Sequence, residues 1–476
     1  MFLKKYKFLG VGFDFYIVCA IFLAFSVLYS LLSVIRHNHF QSQANDFSIY
    51  DQALWLYSRF NFAYSTINNI FDLGDRFRPI MIFISPLYWF TKNERVLLLF
   101  QSILLSATVF PIWLLARRFL PVVLAVFVPF LFVSFIGVQA AAVYDFHEVA
   151  VFPFFLAFLF YFLAREKYVN FFIVLVFCLF VREYFGLLLS TLGIYIYLTK
   201  RNLKIALATS ILSVLWSVVA ILFIMPAFGQ KMYNSFTGNG VGLSQSIIGY
   251  AIRPDIGVYN FFLPLEKIST LFWSLFSFGM LPLLFVPLLA TILFQFASRF
   301  LDLAHPIRWT IYYQYSLELA VLFSVSTIYV LDMILKKFIW KYSVIILFSF
   351  LALSSLISNI TLHSPLKNLA KADFYKDKEW MIDTRIILSM VPENASVAGQ
   401  NNLLPHISHR QKLYLLPNVN DADFVVFDLH SGQDNWNFYN QNLEKTKAQL
   451  FMLLNNGDYT VLASAGDAYI LKKSGI

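Results

Sequence analysis

Residues 15–35 read FYIVCAIFLAFSVLYSLLSVI, an apolar run without a single charge. About 20 such residues in a helix cover the hydrocarbon core of a bilayer. Reading this run as a membrane-crossing helix decides the fold, and the composition agrees. The chain of 476 residues is 59% hydrophobic and 13% charged, with 54 Phe and 26 Tyr. Its mean hydropathy is +0.67, whereas a soluble domain carries roughly 25% charged residues. The net charge of +9 does not point to nucleic acid, because the bases sit in short loops between apolar runs, where they set topology. Cys19 and Cys178 both lie inside apolar runs and read as small buried residues, not a disulfide or metal pair. Lys4, Lys5 and Lys7 precede the first run as in a signal peptide. The run has full bilayer length and no small-residue cleavage site, so a retained signal anchor is expected.

Working outward, eleven runs qualify as candidate spans: 15–35, 96–116, 122–142, 149–164, 169–181, 185–198, 205–228, 264–280, 281–296, 309–335 and 339–360. With the N-terminus inside, the inner loops hold Arg117, Arg118, Arg165, Lys167, Lys200, Arg201, Lys204, Lys336, Lys337 and Lys341. That distribution obeys the positive-inside rule and puts the C-terminus outside. Three outer segments follow: 36–95, the short loop at 144–148, and 229–263. FSIYDQALWLYSRF (47–60) has apolar residues at helical spacing and reads as a helix lying on the membrane. PIMIFISPLYWF (79–90) is too short to span and reads as interfacial or re-entrant. After residue 360 the composition becomes that of a soluble domain. ASVAG, KLYLLP, DFVVFDL, YTVLAS and AYILKK read as strands, WMIDTRIILSMV and NLEKTKAQLFMLL as helices. The expected organisation is a polytopic α-helical membrane domain over 1–360 and a small extracytoplasmic α/β domain over 361–476. The tail has no Gly-rich phosphate loop, so no nucleotide is assigned to it.

Four stretches carry the chemistry. ANDFSIYDQALW (44–55) places Asp46 and Asp51 at the expected membrane edge. Asp46 reads either as a helix N-cap or as a cavity acid, and the two acids, five residues apart, face different sides of a helix. VYDFHE (143–148) offers Asp145, His147 and Glu148, either as a polar turn or as groups that hold a metal or position a substrate. It is no HExxH motif. FVREYF (180–185) puts Arg182 and Glu183 at the outer end of a short span, as a structural pair or with Arg182 on a phosphate. AHPIRWTIYYQYSLE (304–318) gathers His305, Arg308, Tyr312, Tyr313 and Gln314 at an outer mouth. An aromatic belt accounts for Trp309 and one tyrosine there but not for His305 with Arg308. Glu318 lies deeper, where an ionisable group is a functional pointer. Asp72, Asp75, Arg76 and Arg78 read as a solvated turn, and Asp332 with Lys336 as an inner-face pair. All four stretches fall on the outer side. Together they describe a cavity with acids, histidine and arginines, suited to general-base chemistry beside a phosphate.

NDFSIYDQALW, GDRFRPIMIFISPLYW, YDFHEVA, VREYFG and SVAGQNNLLPHISHR together resemble a family of predicted membrane proteins, domain of unknown function 2079, grouped with the GT-C glycosyltransferases. The resemblance spans nearly the whole chain. It implies transfer of a sugar from a polyprenyl-phosphate lipid donor to a glycan, lipid or protein acceptor, outside the cell membrane. It also implies that Asp46, the acid after the first span, serves as base or metal ligand, and that Asp145 is the second acid. Asp51, His147, Arg182, Glu183, His305, Arg308 and Tyr312 are then expected substrate contacts. No cofactor is assigned; a divalent metal ion is the one candidate, with Asp145 and His147 as its candidate ligands. Family members tend to carry Asp-His-Phe where this chain has Asp75-Arg76-Phe77, so any role of that histidine is altered or absent here. A transporter or flippase without covalent chemistry is the alternative, and Glu318 suits it best. A third reading is a structural envelope protein with no cavity behind Asp46. The lack of disulfide pairs suits a prokaryotic cell.

Overall fold

The structure, a computed structural model, describes residues 7–8, 11–229, 249–250, 252–338 and 340–475. Most of the outer segment 229–263, together with Lys4 and Lys5, lies outside the described residues. Five described helices are long and apolar enough to cross a membrane: Phe13–Asn38, Arg95–Ala116, Leu203–Ala227, Gln314–Lys337 and Ser343–Thr361. The helices Val122–Ser134 and Ile136–Val143, bent by 48° at the break between them, pass the same test only when taken together. The apolar stretches Ile80–Phe90, Glu148–Ala164, Tyr168–Val181 and Val286–Phe300 form shorter helices. The run at 185–198 is divided into Tyr184–Ser190 and Leu192–Lys200, and the run at 264–280 yields Leu265–Phe276. Several of the eleven apolar runs are thus helical without having the length of a span.

The break at Phe135 frees backbone carbonyls that lipid could not satisfy. Side chains supply the donors: Gln139 Nε2 and Asn359 Nδ2 donate to the Ser134 carbonyl at 2.6 and 3.0 Å. Close helix contacts use small residues, as expected where apolar packing alone gives little drive inside a bilayer. A Cβ added at Gly186 would sit 2.3 Å from the Ser213 carbonyl oxygen and from Ser217 Oγ. Ser210 Oγ and Ser217 Oγ donate across the same contact to the carbonyls of Ser190 and Glu183.

The end of the chain forms a five-stranded sheet: β1 (Val397–Gly399), β2 (Leu413–Leu415), β3 (Phe424–Asp428), β4 (Tyr459–Ala465) and β5 (Ala468–Lys473). The order is β2-β1-β3-β5-β4, with β1 parallel to both neighbours and β5 antiparallel to both of its own. Side chains alternate between the faces. Val397, Leu413, Phe424, Val426 and Ile470 pack with Met381, Ile387 and Leu388 of helix Glu379–Ser389. Ala398, Tyr414, Val425, Phe427 and Leu471 pack with Leu450 and Leu453 of helix Leu443–Asn455. The strand and helix stretches read from the sequence form these elements.

The first of those faces also buries Phe40 and Ala44, from the loop after the first long helix. Hydrogen bonds extend that junction. The Ala44 N–H donates to the Asn401 carbonyl at 2.6 Å, and Gln52 Nε2 donates to the Arg410 carbonyl at 3.0 Å. Thr66 Oγ1 both accepts from the Leu413 N–H and donates to its carbonyl, at 2.8 and 2.6 Å, which closes the free edge of β2. The helix expected to lie on the membrane is Ile49–Tyr57, and it does not lie at a surface. Ile49 through Leu54 and Leu56 are all buried, because both its apolar and its polar sides have protein partners.

Asp51 belongs to this junction and does not line a cavity. Its carboxylate accepts from Tyr88 and from Ser408 Oγ at 2.5 Å, and His409 Nε2 is 3.1 Å away. Burial works against a charged His409, but the Asp51 charge and hydrogen bond outweigh it and raise the imidazole above its usual value. The folded state therefore holds this proton more tightly than the unfolded chain. The contact contributes fully below about pH 6.5, and the contribution is lost as pH rises through the folded-state value. The difference in melting temperature between the unmodified protein and His409→Gln is expected to be larger at about pH 6 than at about pH 9. Melting curves at the two pH values check this; equal differences would separate His409 from the stability of the junction.

Candidate functional site

A cavity of about 390 Å³ opens beside the loop after the first helix. Three groups of side chains line it: Asp46, Tyr50 and His147; then Arg78, Arg182 and Glu183; then Arg299, Asp302, His305, Arg308, Tyr315 and Glu318.

Asp46 sits in a π-helical turn, Ala44–Ser48, where the widened coil precedes helix Ile49–Tyr57. It is not an N-cap, since no side-chain cap bond exists at that helix start. Its carboxylate instead takes the Tyr144 hydroxyl at 2.7 Å and faces His147 Nε2 at 3.4 Å. His147 Nδ1 lies 2.9 Å from the Asp145 carbonyl. A carbonyl only accepts, so Nδ1 carries hydrogen and Nε2 is turned to Asp46. Burial alone would raise Asp46, but the hydrogen bonds from His147 and Tyr144 hold it below the usual carboxylate value. Burial would lower His147, but the Asp46 contact and the Asp145 carbonyl raise it. Each group thus favours the charged form of the other, and the Asp46 side chain is 27% exposed.

Asp145 has a different place from the one expected. Its carboxylate is buried on Arg36 Nη1 at 2.7 Å and accepts the Gln43 N–H at 2.8 Å. It does not line the cavity, and its two oxygens are held by Arg36 and the Gln43 N–H. Asp145 acts on the site through backbone and neighbours: its carbonyl orients His147, and its carboxylate anchors the start of the turn carrying Asp46.

The second group is a buried ion network. Arg78 and Asp72, each with its side chain 1% exposed, form an ion pair, with Arg78 Nε donating to Asp72 Oδ1 at 2.9 Å. Of the turn expected to be solvated, Asp72 and Arg78 are therefore interior, while the side chains of Asp75 and Arg76 are 30% and 37% exposed. Arg78 also faces Glu148 Oε2 at 3.8 Å and lies 4.3 Å over the Tyr50 ring. Arg182 donates to Glu148 Oε1 at 2.6 Å and to the Tyr50 hydroxyl at 3.3 Å. Glu183 accepts the Phe77 N–H at 2.9 Å.

In the third group, Asp302 holds Arg308 and takes His305 Nδ1 at 3.0 Å. Arg308 Nε is buried without a hydrogen-bond partner among the described residues. Arg299 donates to the carbonyls of Arg308 and Thr310 at 2.8 and 2.6 Å and to Ser316 Oγ at 3.1 Å, all neutral acceptors. Glu318 accepts from Gln295 Nε2 at 2.9 Å. Tyr312 points elsewhere, half-exposed, donating to the Leu362 carbonyl at 3.1 Å. Tyr315, about one turn on, takes the lining position.

The sequence reading thus brought Asp46, His147, Arg182, Glu183, His305, Arg308 and Glu318 to one cavity. It missed Tyr50, Arg78, Arg299, Asp302 and Tyr315. Arg299 had a signal: a charge directly after the apolar run 281–296. Arg78 had none, since its partners come from three separate segments.

This arrangement is that of a membrane protein whose helices hold a polar, charge-lined cavity beside an ordered loop. The chain belongs to the family described as predicted membrane protein (DUF2079), whose model matches residues 36–471. No curated protein matches it.

Replacing Arg78 by Met leaves the Asp72 and Glu148 carboxylates buried without their cation. A loss of about 3–5 kcal/mol is expected. The double change Arg78→Met with Asp72→Leu should cost less than the sum of the two single changes. Denaturant unfolding of the four proteins checks this, and additive costs would mean that Asp72 and Arg78 do not interact.

Proposed function

We propose that the chain is an inverting glycosyltransferase of the GT-C kind, taking a sugar from a polyprenyl-phosphate-linked donor on the extracytoplasmic side. The observation that carries this reading is one cavity holding an ionised Asp46 together with the guanidinium groups of Arg182, Arg299 and Arg308. A transfer between a hydroxyl and a glycosyl phosphate needs a proton acceptor and a cationic seat for the leaving phosphate.

In this mechanism the acceptor hydroxyl sits against Asp46. Its oxygen forms the new bond to the anomeric carbon as its proton passes to the Asp46 carboxylate. The bond from that carbon to the phosphate oxygen breaks, and its electron pair leaves with the lipid phosphate. His147, fixed by the Asp145 carbonyl, keeps the carboxylate oriented and ionised. Arg308 Nε and the Arg299 guanidinium, whose hydrogen bonds go to neutral acceptors, are the groups that would meet the phosphate, with Arg182 lining the same cavity. Asp145 has a positioning role, and no step passes through a metal. The topology that accompanies this reading has the N-terminus inside and the C-terminal sheet outside.

Glu318 favours a second reading. A buried acid within a span, bonded to Gln295 and lining the same cavity, is what a transporter or flippase of the same lipid would use.

Asp46→Asn is expected to lower sugar transfer in reconstituted membranes by about 10²–10⁴-fold, measured per folded protein. Transfer at the unmodified rate would remove Asp46 as the base. Glu318→Gln should leave transfer within about tenfold of the unmodified rate. If lipid translocation stops in that variant and no transfer is found in the unmodified protein, the transporter reading replaces the transferase.

A further inference from the structure

His37, Glu94 and His406 meet outside the cavity described above. His37 is in the last turn of helix Phe13–Asn38, Glu94 directly precedes helix Arg95–Ala107, and His406 ends the short turn Leu404–His406 near the sheet. One ligand atom from each lies within 4.8 Å of the others. His37 Nε2 is 3.3 Å from Glu94 Oε1. That is close to the roughly 3.4 Å edge of a tetrahedron built on bonds of 2.0–2.1 Å, the lengths zinc makes to imidazole and carboxylate.

Further features are those of a metal site. His37 Nδ1 is 3.0 Å from Ser42 Oγ, so the ring is oriented by an outer partner while Nε2 is turned inward, the usual arrangement for a metal-bound histidine. His406 Nε2 is buried and has no hydrogen-bond partner among the described residues, which is costly for a polar atom unless something binds it. Arg95 donates to Glu94 Oε1 at 2.8 Å and to Asn38 Oδ1 at 2.7 Å, which fixes the direction of the carboxylate. Phe40 and Phe47 ring the two imidazoles at 4.4 and 5.1 Å, giving the site an apolar surround. The Glu94 side chain is 15% exposed, which leaves a path from solvent.

We propose that His37, Glu94 and His406 bind one divalent transition-metal ion of the zinc class, with water in the fourth position, and that the ion clasps the C-terminal sheet to the membrane helices. Two imidazoles and one carboxylate are the donor set that zinc takes. The ligands come from segments far apart in the chain, so the ion stabilises the assembled fold and has no preformed site in the unfolded chain. The inference does not rest on the transferase reading, and its test reads metal content, not activity.

The experiment uses the full-length protein in detergent, stripped with chelator, exposed to Zn²⁺ and freed of excess ion. About one zinc per chain is expected, with a rise in melting temperature over the stripped protein. His406→Gln and Glu94→Gln should each weaken binding by at least about tenfold, and Ser42→Ala by about 10–100-fold. Failure of the unmodified protein to retain zinc, or unchanged binding in both ligand variants, overturns the proposal. If the variants do not fold, Co²⁺ on the unmodified protein decides. A strong visible band of tetrahedral type supports the site, and its absence overturns it.

Discussion

The buried guanidinium of Arg78 is the contact on which the cavity depends. A cation with 1% of its side chain exposed is tolerated only because carboxylates and a ring face replace the water it has lost. Asp72 supplies the direct partner, Glu148 the second charge and Tyr50 the aromatic face. Glu148 in turn holds Arg182, which also reaches the Tyr50 hydroxyl. The loop at 72–78, the turn at 147–148 and the turn at 182 are therefore held in one electrostatic unit. Their mutual placement sets the wall that faces Asp46.

Asp46 itself is positioned by a second chain of contacts. Arg36, at the end of the first helix, holds Asp145; Asp145 takes the Gln43 N–H; the turn that follows presents Asp46 to Tyr144 and His147. A membrane-crossing helix thus dictates, through two side chains, where an acid stands some ten residues later. Asp145 thus takes part in placing Asp46 without reaching the cavity itself.

What was legible in the sequence is what rests on local pattern. Apolar runs became helices, and period-two stretches such as DFVVFDL became strands with the expected alternation between faces. Asp46, His147, Arg182 and Arg308 could be placed together because each stands near the end of an apolar run that the expected topology turns outward. What was not legible depends on partners distant in the chain. Asp51 looked like a companion to Asp46, but Ser408 and His409 claim it. Asp72 and Arg78 looked like a solvated turn, because Glu148 and Tyr50 could not be foreseen as their covers. Tyr312 and Tyr315 are alike in sequence terms, and the backbone around Tyr313, with φ of 64°, sends them to different sides.

The junction between the first loop and the sheet has a consequence for how the chain is made. Ala44, Gln52 and Thr66 bond to Asn401, Arg410 and Leu413. During synthesis the loop emerges long before those partners, at the roughly 5–20 residues per second typical of translation. For tens of seconds its buried face, including Phe40 and Ala44, has nothing to pack against. Contacts of such long sequence separation form late and slowly. Maturation of this junction is thereby tied to completion of the chain: a truncated product lacks the partners of Ala44, Gln52 and Thr66, although the contacts of Asp46 with Tyr144 and His147 come from residues made early.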